Sequence, residues 1–184
     1  MRLFVAVPLP AEVVAHLEAV VGPLRDYALR WTLPDSWHLT LAFYGEVADG
    51  RVDDLTARLE RAGRRHLSMS LHLAGAGRFG GRALWVGCTG DTAAMRRLAA
   101  SAAAAGRRVG AAADEARRLR AHVTLARAPK PVDLRPYVSA LGSYHGPQWT
   151  ADAVALVRSH LGGGENRRAR YETLSRHPLT GRSP

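Results

Sequence analysis

The chain has 184 residues, 47% hydrophobic and 23% charged, which excludes an intrinsically disordered protein and is enough for one substantial core, or two small lobes sharing one. The 26 basic residues against 16 acidic ones leave a formal net charge of +10, and every basic residue except Lys130 is an arginine. That excess fits an anionic partner such as nucleic acid, because the arginine fork donates two hydrogen bonds to a phosphate; it equally fits the Arg- and Ala-rich usage of a GC-rich genome. No apolar run reaches the roughly 18 residues of a membrane span, so no membrane partner is expected. Cys88 is the single cysteine, which rules out an intrachain disulfide and makes the cytoplasm the expected location.

The opening MRLFVAVPLP has too short an apolar run for a signal-peptide core, and Pro8 and Pro10 interrupt it. Residues 2–7 predict a first strand instead. Pro10 then precedes a helix in which Val13, Val14, Leu17, Val20, Val21 and Leu24 recur at helical spacing, ended by Pro23. Trp31 begins a short extended piece, Pro34-Asp35-Ser36 a turn, and HLTLAFYG a strand closed by Gly45. Residues 50–65 carry a second amphipathic helix on Val52, Leu55 and Leu59, with Gly63 as its C-cap. HLSMSLHLAGAG alternates as a strand and turns through Arg78–Gly81 into RALWVGC, a hairpin. Asp91 or Thr92 caps a helix over 92–105, and 106–118 predict a mobile loop. A strand LRAHVTLAR follows, then a helix over 133–141, one long strand WTADAVALVRSHL, a flexible GGGENRR turn and a last strand RARYETLSRHPL.

One pentapeptide occurs nearly twice, HLTLA at 38–42 and HVTLA at 122–126. It falls at equivalent places in a β/α pattern that runs through the chain twice. The repetition predicts a single domain over 1–184, made of two duplicated lobes at approximately 1–90 and 91–184, with their motif strands meeting at a shared cleft. Residues two apart on a strand share a face, so His38 points with Thr40 and His122 with Thr124. Side by side, the two strands would gather two imidazoles and two hydroxyls around a volume that suits a phosphate.

Histidine is available in either protonation state near neutrality, from an unperturbed pKa of about 6.5. A neutral imidazole can take a proton from water while a protonated one gives a proton to a leaving oxygen. The threonines can donate to non-bridging oxygens as charge grows on them. This equipment needs no cofactor and no metal. A lone H-x-T carries little weight among eight histidines; two copies in matching strand contexts carry much more. His16, His66, His72, His145, His160 and His177 lack that context and are read as surface or structural residues.

The residues that surround the two motifs resemble the two-histidine (2H) phosphoesterase superfamily, and within it the RNA 2′,3′-cyclic phosphodiesterases, also called 2′-5′ RNA ligases. The resemblance runs through RLFVAV, Arg30-Trp31, HLTLAFYGEV, GRFGGRALWVG, HVTLAR, the stretch Ser159–Leu174, and Pro178-Leu179. It implies a two-lobed, pseudo-symmetric α+β fold, with antiparallel sheets lining a central basic groove and helices outside. It also implies hydrolysis of RNA 2′,3′-cyclic phosphate ends, tRNA fragments among them, to 2′-phosphomonoesters, with reversible 2′-5′ ligation as a companion activity. The resemblance makes His38 the general acid and His122 the base, though the half-sites are pseudo-symmetric and the reverse assignment stays open. It adds Arg127 and Phe43 near the nucleotide. Strict alternation puts both on the faces opposite their motifs, so only a bulge or a curled strand end would bring them round, and Phe43 has an equal claim as a core residue. Trp31 could stack on a base or pack inside. Relatives carry an aromatic and a proline before the second motif, where this chain has Leu119-Arg120-Ala121. A monomer is expected. Three rival readings remain: another 2H activity on 2′,5′-oligonucleotides or cyclic ADP-ribose-phosphate, a non-catalytic RNA-binding module, and a metal site on His38 and His122, which lacks carboxylates or cysteines at familiar spacing.

Overall fold

The structure is a computed structural model and describes residues 1–111, 120–162 and 169–181. In chain order its elements are β1 (Arg2–Pro8), α1 (Ala11–Val21), β2 (Arg30–Trp31), β3 (His38–Glu46), α2 (Val52–Gly63), β4 (Met69–Phe79), β5 (Ala83–Gly90), α3 (Thr92–Arg108), β6 (His122–Arg127), α4 (Arg135–Ala140), β7 (Trp149–Ala151), β8 (Ala153–His160) and β9 (Arg170–Pro178). Short 3-10 turns at 22–24, 34–36 and 49–51 join some of them.

The strands form two antiparallel sheets. One has the order β3-β1-β8-β9, the other β2-β6-β5-β4-β7. The two motif strands, β3 and β6, belong to different sheets and meet where the sheets touch. Each sheet takes strands from both sides of residue 90, so the two sheets interleave along the chain. One face of each sheet closes a shared core. Leu3, Val5, Val7, Leu39, Leu84, Val86, Val123 and Leu125 are fully buried in it, with Val13, Leu17 and Val21 from α1 and Leu55 and Leu59 from α2. Each such side chain contributes about 1.5–3 kcal/mol by leaving water. α3 packs on β3 through a close approach: the Tyr44 ring lies where a Cβ on Gly106 would sit, 2.5 Å away, and the Tyr44 hydroxyl donates to the Ala102 carbonyl at 2.8 Å.

Three local expectations change. WTADAVALVRSHL is two strands, not one: the chain leaves the five-stranded sheet at Ala151 and enters the other at Ala153. Between them the Asp152 carbonyl accepts from Leu179 N at 2.7 Å, and its carboxylate pairs with Arg176 at 3.4 Å. Gly63 is no left-handed cap; its bare Cα admits the Pro178 carbonyl, which a Cβ would meet at 2.5 Å. The helix predicted over 92–105 runs on to Arg108, into the predicted loop. Residues 112–118 of that loop and 163–168 of the GGGENRR turn lie outside the described residues. Among the described residues no helix is long and apolar enough to cross a membrane.

Candidate active site

The two motif strands share one burial pattern. From His38 and from His122 alike, the six residues run half-buried, buried, half-buried, buried, buried, exposed. Two consecutive buried residues break strict alternation, and the pairing register shows why. β3 passes from Thr40 opposite Ala6 to Ala42 opposite Val5, and β6 from Thr124 opposite Trp85 to Ala126 opposite Leu84. Each strand therefore carries a β-bulge, at Leu41 and at Leu125, and the extra residue reverses the facing of the residues after it. Phe43 pairs with Phe4, two residues from Ala6, and so lies on the face of Thr40. Arg127 pairs with Ala83, two residues from Trp85, and lies on the face of Thr124. The bulges bring both residues to the face that strict alternation denied them.

The imidazoles are held alike. His38 Nδ1 is 2.7 Å from the Ser36 carbonyl, and His122 Nδ1 is 2.6 Å from the Arg120 carbonyl. A carbonyl only accepts, so each Nδ1 carries the hydrogen and each Nε2 is left as the titrating nitrogen. Aromatic rings hold the planes. Phe4 stacks on His38 at 4.8 Å between centroids, and Tyr171 meets it edge-on at 5.2 Å. Phe79 meets His122 edge-on at 5.1 Å, and Trp85 tilts against it at 5.9 Å. Trp85 lies flat over Gly77, where a Cβ would sit 2.2 Å from the ring. Phe4, Ala6, Ala155 and Val157 make a small apolar floor on the His38 side.

Burial pushes the His38 imidazole down from 6.5 to about 4, opposed by the Ser36 carbonyl and reinforced by His122. Burial also lowers His122; the Arg120 carbonyl opposes this, and the Arg127 and Arg120 guanidinium groups add to it. In the free protein both imidazoles are therefore neutral near pH 7, and an anion between them would raise both.

Several contributors carry no assigned role in the sequence reading. Arg30 pairs directly with Arg127 and so shares its face. Like charges opposite one another are unfavourable unless an anion lies between them, which is the signal that could have found Arg30. Phe4, Trp85, Phe79 and Tyr171 come to the histidines through sheet pairing, which spacing alone does not disclose. Thr32 ties the two half-sites. Its hydroxyl donates to the Thr124 and Leu125 carbonyls, both at 2.8 Å, and accepts from the Trp37 indole N–H at 2.8 Å. Trp37 immediately precedes His38. Trp31, by contrast, is buried at 6% exposure, with its indole donating to the Asp26 carbonyl, and is a packing residue. Of the remaining histidines, His72 stacks on His145, His66 bonds Ser101, His160 pairs with Glu172, and His177 is buried. Among the described residues no three His, Cys, Asp or Glu side chains are grouped to hold a metal ion.

The family description "2′-5′ RNA ligase superfamily" matches residues 9–163. The chain belongs to that superfamily. An RNA 2′,3′-cyclic phosphodiesterase of Geobacillus stearothermophilus is 29% identical over 97% of this chain, which spans only 57% of that relative's length. The crystal structure of TT0787 of Thermus thermophilus matches with a TM-score of 0.78 at 26% identity, over 100% of both chains. E. coli LigT complexed with NADP+ matches with a TM-score of 0.77 at 26% identity, over 97% of this chain and 98% of that one. The α+β architecture of two antiparallel sheets is the one these LigT-like 2H phosphoesterases have.

Proposed function

We propose that the chain hydrolyses RNA 2′,3′-cyclic phosphate ends to 2′-phosphomonoesters by paired-histidine acid–base catalysis. The observation that carries this reading is the paired half-site: two bulged H-x-T strands, each with its Nδ1 locked on a backbone carbonyl and its Nε2 left to titrate. The name of the Geobacillus relative supports the substrate class. Water attacks phosphorus as His122 Nε2 takes its proton. The bond from phosphorus to O3′ breaks, and His38 Nε2–H protonates the departing oxygen. Arg120 and Arg127 favour neutral His122, which suits a base. The face of Phe4 suits an imidazolium at His38 once the phosphate anion has raised its pKa. Thr40 and Thr124 donate to the non-bridging oxygens, Arg127 supplies positive charge, and Phe43 rims the nucleoside side, with the Arg2 guanidinium 4.7 Å from its ring centre. With a 5′-hydroxyl RNA in place of water, the same step forms a 2′-5′ linkage. Both half-sites come from one chain, so a monomer suffices; the lone Cys88 fits a cytoplasmic setting.

The test is an RNA oligonucleotide ending in a 2′,3′-cyclic phosphate, incubated in EDTA, with the product end identified. A 2′-phosphate formed at an undiminished rate is expected. No product, or a 3′-phosphate, refutes the reading, and turnover of a 2′,5′-oligonucleotide instead selects the other 2H activity.

The same assay has a definite pH dependence. kcat/KM reports the free protein, whose two imidazoles both titrate below 6.5, His38 at about 4. Well above pH 6.5 both are neutral and the acid is missing; once the pH falls below the lowered pKa of His122 that imidazole is charged and the base is missing. The bell in kcat/KM therefore peaks below pH 6.5, and the bell in kcat, with the anion bound, lies higher. A kcat/KM that keeps rising above pH 6.5 contradicts this assignment.

A further inference from the structure

Beside His122 an open groove of about 480 Å³ continues past the half-site. This is within the roughly 300–1,000 Å³ of typical ligand sites. Trp85 is its wall nearest the imidazole, and Arg120 lies with its guanidinium 5.3 Å from the Trp85 ring centre. Gly87 pairs with His122 across the sheet, so the groove runs directly from the half-site. Its far wall is the first turn of α3, with Thr92 and the exposed Arg96. Neither Arg96 nor Arg120 is paired with a carboxylate among the described residues. The Asp91 carboxylate is turned onto the Ser70 N–H at 2.8 Å and does not cap α3, which leaves the first-turn N–H groups uncapped by a side chain. A platform of the Trp85 indole and the Arg120 guanidinium, Arg96 beyond it and an uncapped helix start together describe a track for a base and its phosphates.

Another groove, of about 580 Å³, lies beyond Pro8 and differs in charge. It is lined by Glu12 and Asp152, and its one arginine, Arg176, is already paired with Asp152 at 3.4 Å. A polyanion leaving the site meets carboxylates on that side and arginines on this one. A cyclic phosphate occupies the 3′ end of an RNA, so the rest of the strand must leave through the 5′ side of the terminal nucleotide.

Resting on the activity proposed above, we infer that the Trp85–Arg120–Arg96 groove holds the nucleotides 5′ of the cyclic phosphate, so that the protein prefers an oligonucleotide to a mononucleotide. Two substrates test this, a nucleoside 2′,3′-cyclic phosphate and a tetranucleotide with the same end, each with the wild-type chain, Arg96→Ser and Arg96→Lys. The ratio of kcat/KM for the tetranucleotide over the mononucleotide is expected to fall about tenfold in Arg96→Ser, roughly one charge-assisted hydrogen bond, and to be largely kept in Arg96→Lys. Binding of a fluorescent tetranucleotide bearing a 2′-phosphate is measured alongside. The slope of log affinity against log salt should become shallower by about 0.7 in Arg96→Ser, the loss of one phosphate contact on a single strand. If the wild-type chain hydrolyses neither substrate, the phosphodiesterase reading fails and the salt slope alone decides the groove. An unchanged slope, or an unchanged ratio in an active protein, overturns the inference.

Discussion

His122→Ala and His38→Ala are each expected to lower kcat by roughly 10²–10⁴-fold, the usual contribution of a positioned proton donor or acceptor. The two losses should not multiply in the double variant, because either deletion already disables the coupled transfer. A substrate with sulfur in place of O3′ separates the roles. Thiolate departs without a proton, so the variant lacking the acid recovers most of its rate and the variant lacking the base does not. With His38 as acid, recovery is expected in His38→Ala. Recovery in His122→Ala instead reverses the assignment while leaving the paired mechanism in place. Equal, small losses in both single variants would remove the histidines from the chemistry altogether.

Leu39→Ala is expected to lower stability while leaving the chemistry in place. Leu39 stands between His38 and Thr40 yet points to the opposite face, where it is fully buried in the shared core. Truncating a buried leucine to alanine costs about 2–5 kcal/mol, against a total of about 5–15 kcal/mol for a typical domain. For a chain of this length each kcal/mol lowers Tm by roughly 2–4 °C. Thermal unfolding followed by circular dichroism measures the shift. Below the transition, kcat should stay within a few-fold of the parent, because the imidazole orientation depends on the Ser36 carbonyl and the Phe4 ring rather than on Leu39. An unchanged Tm with activity lost would make Leu39 part of the site instead of the core.

The repeated pentapeptide disclosed the four side chains at the centre because strand alternation is a local property, and HLT and HVT each obey it. The bulges were illegible for the same reason. Nothing in Leu41-Ala42 or Leu125-Ala126 marks an irregularity; neither holds a glycine or proline. The extra residue exists only relative to the partner strand, Val5–Ala6 for one and Leu84–Trp85 for the other. The break at Asp152 is hidden likewise. Asp152 is a poor strand residue, but a single one does not end a strand, and only the existence of two sheets makes the chain change partners there. Sheet membership follows pairing rather than chain order: β8 travels back to lie beside β1, and β9 pairs on its outer side. Tyr171 reaches His38 by that route.

The hydroxyl of Thr32, shared between the Trp37 indole and the carbonyls of the β6 bulge, has a consequence for how the cleft meets its ligand. A phosphate has one size, and two groups that must touch opposite sides of it tolerate one gap. Here the gap is spanned by a strut within the protein, running from the residue before one imidazole to the backbone beneath the opposing threonine. The calliper is set before anything enters it. For the substrate proposed above, adjustment to different nucleosides is then left to the rim, where Phe43, Phe79 and Tyr171 remain partly exposed, and the distance across the paired half-sites stays the same whichever base arrives.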